Sequence, residues 1–143
     1  MIISEKTLET PYISVDNEKG IFELEGRSMP ENPLEIYSPL IETVKKYNLN
    51  PKNVTVVVFD LEFINSTSLR FLTLFIKAFD IKNPAFTIKF IWNYKGFEQV
   101  LPSGYSPEEF FSKLTTGLNC RKQLIVKKKV NSENSSNEEV IEL

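Results

Sequence analysis

Val54-Thr-Val-Val-Val-Phe-Asp-Leu-Glu-Phe-Ile64 runs directly into Asn65-Ser-Thr-Ser68 and then into Leu69-Arg-Phe-Leu-Thr-Leu-Phe-Ile-Lys-Ala-Phe79. The first piece is a β-branched run with charges only at Asp60 and Glu62, and it predicts a buried strand. The third piece is too long and too rich in Leu and Phe to be a second strand, and it predicts a helix. Four short polar residues stand between them. Their side-chain oxygens suit the free backbone N–H groups of a helix start. Hydroxyl groups are therefore presented where one apolar element ends and the next begins. An ordinary capped helix carries the same pattern, so the junction alone does not separate a cap from a functional site.

Upstream, Tyr12-Ile-Ser-Val15 and Ile21-Phe-Glu-Leu-Glu25 alternate apolar and polar residues around Asp16-Asn-Glu-Lys-Gly20, which predicts an antiparallel hairpin. Residues 1 to 10 read as loose. Gly26-Arg-Ser-Met-Pro-Glu-Asn-Pro33 is a loop, with Asn32 as N-cap and Pro33 at the first helical position. Leu34, Tyr37, Ile41 and Val44 then recur at helical spacing through Tyr47, and Pro39 inside that pattern predicts a kink or a displaced first turn.

Downstream, Phe86-Thr-Ile-Lys-Phe-Ile-Trp92 predicts a strand parallel to the central one through a right-handed crossover. Ser106 and Pro107 open a last helix that should end near Gly117. Arg121 to Lys128 reads as an edge strand whose lysines discourage strand addition. From Asn131 onward Ser, Asn and Glu dominate. The expected architecture is a single α/β domain over residues 1–130, with a mixed sheet of four or five strands packed against helices. A disordered polar tail over 131–143 follows it.

Bulk properties exclude several functions. A formal net charge of -2 in 143 residues argues against a nucleic-acid partner. The chain has no His and only Cys120, which removes zinc sites and His-based catalytic centres. No phosphate-cradling glycine motif occurs, and no cofactor or metal is expected. Asp60 and Glu62 share one strand face, yet nothing nearby builds the concave site that a glycosidase pair needs. No enzymatic activity is expected. No apolar run reaches the roughly 18 residues of a membrane span, so membrane insertion is not expected. Lacking a signal peptide pattern, the chain is expected to be cytoplasmic.

Three motifs resemble one bacterial family. Gly26-Arg-Ser-Met-Pro-Glu-Asn-Pro33 resembles the GxSxPEN loop of the SiaC regulatory phosphoproteins. Leu61-Glu-Phe-Ile-Asn-Ser-Thr-Ser68 resembles their LxYxNTSS strand-to-helix junction, and Ile91-Trp-Asn-Tyr94 a variant of their W-Y-Y strand end. The resemblance covers roughly residues 10 to 95, with matching spacings between the motifs. It implies a STAS-like fold and a switch. A cognate Ser/Thr kinase would phosphorylate the hydroxyl residue after the junction Asn, and a PP2C-type phosphatase would reverse this. The unmodified form would engage and activate a diguanylate cyclase.

The family position falls on Ser66, where Thr is usual, with Thr67 and Ser68 as alternates. Asn93 stands where an aromatic is usual. The partner surface on this reading comprises Arg27, Pro30, Glu31 and Asn32 from the loop, and Asn65, Thr67, Ser68 and Leu69 from the junction. Phe71, Leu74 and Phe75 exceed one helical face, so part of that helix could join it. The rival readings are a STAS-like module that binds a small anionic or nucleotide ligand at the helix start, and an unmodified interaction domain.

Overall fold

A computed structural model describes residues 1–94, 101, 105–129 and 136–143. Its elements in chain order are β1 (Ile2–Ser4), β2 (Tyr12–Asp16), β3 (Ile21–Ser28), α1 (Pro33–Tyr47), β4 (Val54–Ile64), α2 (Ser66–Ala78), β5 (Thr87–Tyr94), α3 (Pro107–Leu114), β6 (Arg121–Lys129) and β7 (Ser136–Glu142). The seven strands form one mixed α/β sheet in strict sequence order. The pairs β1–β2, β2–β3 and β6–β7 are antiparallel. The pairs β3–β4, β4–β5 and β5–β6 are parallel.

That order fixes where the helices lie. Each parallel step crosses over through one helix and moves the same way along the sheet. Right-handed crossovers repeated in one direction place every helix on the same face. Phe22, Phe59 and Phe90 point to that face and meet Phe75 and Phe111 from α2 and α3, with ring centroids 5.0 to 6.3 Å apart. Tyr47 of α1 sets its ring edge-on to Phe22 at 5.2 Å. The core is aromatic because Phe22, Phe59, Phe75, Phe79, Phe90, Phe110 and Phe111 supply large apolar area at buried positions.

The opposite face carries Val56, Val58, Ile91 and Ile125, which are half-buried. The expectation that β4 is buried throughout therefore holds for only one side. Its alternating burial shows a strand with one face under the helices. Apolar residues on both faces made the run look doubly covered.

Several expected boundaries shift. The sheet has seven strands rather than four or five. Residues 2–4 pair with β2 instead of lying loose. Residues 136–142, expected as part of a disordered tail, form β7 along the whole of β6, from Gln123 opposite Glu142 to Lys129 opposite Ser136. Composition missed this because the pairing relies on backbone bonds and opposite charges. Arg121 donates to Glu142 at 2.7 Å, and Gln123 Nε2 to the same carboxylate at 2.6 Å. Consequently β6 is not an edge strand. In α1, Leu34 is 57% exposed rather than core, and the buried stripe runs through Tyr37, Leu40, Val44 and Tyr47. That helix continues through Pro39, which faces solvent, where water can serve the carbonyl left without an intrahelical donor. Asn32 occupies the N-cap position but makes no side-chain cap bond.

Candidate functional site

The two best-defined motifs meet at one end of the sheet. β3 and β4 are parallel neighbours, so their C-terminal ends lie side by side, with Ser28 opposite Ile64. The Asn65 N–H donates to the Ser28 carbonyl at 3.0 Å and ties the junction to the strand that enters the loop. Gly26 has φ of +104°, and the β3–β4 register shifts there: Gly26 faces Leu61, while Arg27 faces Phe63. A residue with a side chain resists that backbone conformation. The resulting bulge re-aims the strand end. The extra residue is Glu62, so it is Ile64 of β4 that turns inward, while Ser28 keeps the alternation of Phe22 and Leu24. The Arg27 guanidinium lies over the Phe63 ring, 5.5 Å from its centroid.

Ser28 is fully buried, and its hydroxyl lies 2.6 Å from the hydroxyl of Tyr37. Burial pushes the Tyr37 phenol up to about 12, with the Ser28 hydrogen bond pulling slightly the other way. Tyr37 therefore stays neutral and pins the loop to α1. The same ring stacks on Phe71 of α2 at 5.9 Å. One phenol thus connects the end of β3, α1 and α2.

Asn65, not Ser66, caps α2. Its side-chain oxygen accepts from the Ser68 N–H at 2.8 Å, and its backbone carbonyl from the Leu69 N–H at 2.9 Å. Ser66 and Thr67 are left exposed on the first turn. Ser68 is fully buried, and its hydroxyl has no hydrogen-bond partner among the described residues. Leu69 is half-buried. On the loop side, Glu31 and Asn32 are exposed and Pro30 is half-buried. All eight expected partner residues therefore sit at this end, with very different access to solvent. Of the three α2 residues that exceeded one helical face, Phe75 is fully buried, Phe71 is half-buried against Tyr37, and Leu74 is 53% exposed.

One residue escaped the sequence reading. Arg70 stands one turn beyond Ser66 on the same side of α2 and is exposed. The spacing of four was available as a signal.

Asp60 and Glu62 lie on β4 without a metal-type cluster around them. Among the described residues, no group of three or more His, Cys, Asp or Glu could hold a metal ion. No described helix is long and apolar enough to cross a membrane. Cys120 is buried, and burial raises its thiol above the ordinary value.

These features define a mixed α/β domain with helices on one face and a hydroxyl-bearing helix start set beside a structured loop. More specifically, the chain belongs to the SiaC family of regulatory phosphoproteins, whose family model matches residues 4–121. The match stops at the first residue of β6. Among solved structures, SiaC of Pseudomonas aeruginosa has a similar fold, with a TM-score of 0.57 at 21% identity over 65% of this chain and 78% of that one. A second match is to the crystal structure of diguanylate cyclase SiaD in complex with its activator SiaC from the same organism. There the TM-score is 0.60 at 17% identity, over 85% of this chain and 95% of that one. No curated protein sequence matches the chain.

Proposed function

We propose that this protein is a non-enzymatic phospho-switch of the cytoplasm, with Ser66 as the modified residue. A cognate Ser/Thr kinase modifies it, a PP2C-type phosphatase resets it, and a diguanylate cyclase receives the unmodified form. One observation carries the reading. Ser66 is an exposed hydroxyl at the first position of α2, and Asn65 has already relieved it of capping. A kinase can reach it without opening the fold, whereas the Ser68 hydroxyl is enclosed. The match to a SiaD–SiaC complex supports a cyclase as the partner class.

In the transfer, the Ser66 oxygen bonds to the γ-phosphorus of ATP, the bond from that phosphorus to ADP breaks, and the hydroxyl proton is released. The product adds about -1.5 to -2 charges at a helix N-terminus that tolerates anions. The fold therefore survives. A partner that covers this end must instead strip water from a dianion, which costs more than the helix end returns.

The test is peptide mass spectrometry after incubation with the neighbouring kinase and ATP. A single phosphate on Ser66 is expected. Label confined to Thr67, or none at all, contradicts the reading. A thermal shift with small anions or nucleotides and no covalent change would favour the ligand-binding alternative.

A further inference from the structure

The start of α2 lacks the acids that the other helices carry. The first turn of α1 holds Glu35, and that of α3 holds Glu108 and Glu109. Acids there complement the positive end of the helix dipole. The first turn of α2 holds none, and the only charged residues of the helix are Arg70 and Lys77. The start of α2 therefore has no built-in anion, and Arg70 stands one turn beyond it.

Arg70 is also uncommitted. It is exposed and makes no ion pair or hydrogen bond among the described residues. Arg27 is engaged on the Phe63 ring and belongs to β3 rather than to α2, and Lys113 of α3, which lines the same groove as Arg70, lies over the Tyr105 ring. Residues four apart on a helix are surface neighbours. A phosphate on Ser66 would therefore stand beside the Arg70 guanidinium, which matches phosphate oxygens with paired donors.

We propose that Arg70 is the intramolecular counter-ion for the phosphate on Ser66, an inference that rests on the assignment of Ser66 as the switch. In the unmodified protein α2 shows two positive charges. In the modified protein the dianion brings the helix close to neutral and withdraws the Arg70 guanidinium from any partner. Arg70 is a positioning residue that holds the phosphate in one orientation.

The test is a phosphorus NMR titration of full-length protein with phosphoserine installed biosynthetically at position 66, so that no kinase is needed. The second ionisation of a phosphoserine lies near pKa ~6. Contact with Arg70 is expected to lower it by roughly half a unit, the scale of an exposed ion pair. Arg70→Gln should return that shift, Arg70→Lys should keep most of it, and Arg27→Gln should leave it unchanged. Identical titrations with and without Arg70, or a shift that depends on Arg27 instead, would overturn the assignment. Kinase labelling away from Ser66 in wild-type protein would refute the switch while leaving the titration readable.

Discussion

Alanine substitution at two adjacent residues separates the cap from the proposed switch. The Asn65 side chain accepts the Ser68 N–H at 2.8 Å in a partly buried setting. Removing an N-cap of this kind costs about 1 kcal/mol, within a range of roughly 0.5–2. In a domain of this size that lowers the melting temperature by about 3 °C. Ser66 makes no hydrogen bond through its hydroxyl among the described residues and is exposed. Ala is also the better helix former by a few tenths of a kcal/mol, so Ser66→Ala should change stability by less than about 0.5 kcal/mol. Urea unfolding of the two variants, at equal slope, measures the difference directly. Equal destabilisation by both would refute the division of labour, because Ser66 would then hold the helix start.

Three further outcomes follow from the packing. Tyr37→Phe leaves the enclosed Ser28 hydroxyl without its partner and should cost about 1–3 kcal/mol, much of it recovered in the double variant with Ser28→Ala. Unfolding curves of the single and double variants decide this. Removing residues 136–143 takes away Ile141 and Leu143, which pack partly on the core, and should lower stability by about 1–2 kcal/mol. An unchanged melting temperature would show that β7 does not dock. The Arg121 and Gln123 hydrogen bonds hold the Glu142 carboxyl below the usual carboxylate range. Its contribution is present above the ordinary Glu value and is lost as pH falls through the lowered one. Hydrogen exchange of the β7 amides, corrected for intrinsic rates, should show full protection at neutral pH and loss of protection in acid.

Most of the architecture was legible because local signals and global topology agree. The change from a β-branched run to a Leu/Phe pattern placed β4 at its observed ends and α2 with its start three residues late, because Ser66 to Ser68 belong to the first turn rather than to the junction. Ser106 and Pro107 placed the start of α3, where the Ser106 hydroxyl accepts the Glu109 N–H at 3.1 Å. Illegible elements lacked apolar periodicity. In β7, Val140 is mostly exposed while Ile141 packs partly on the core, so its place depends on the β6 partner strand and not on its own composition. The uncovered face of β4 was hidden for another reason, since residue pattern alone does not state strand order. At the site, the motifs pointed to the end of β3 and the start of α2, which the structure sets side by side, but not to the division of the junction into cap, enclosed hydroxyl and exposed hydroxyl. That division depends on the Asn65 side chain and the pitch of α2. Leu34 illustrates the same limit: it fits the helical spacing, yet lies mostly exposed.

The account stands or falls on what a phosphate at Ser66 does to partner binding. Calorimetric titration of the cognate diguanylate cyclase with unmodified protein, and with protein phosphorylated at Ser66, measures it. The expected result is at least about tenfold weaker binding of the modified form, equivalent to about 1.4 kcal/mol, with unfolding curves that coincide or show slight stabilisation. Equal affinities of the two forms, or a loss of affinity matched by loss of the fold, would contradict it.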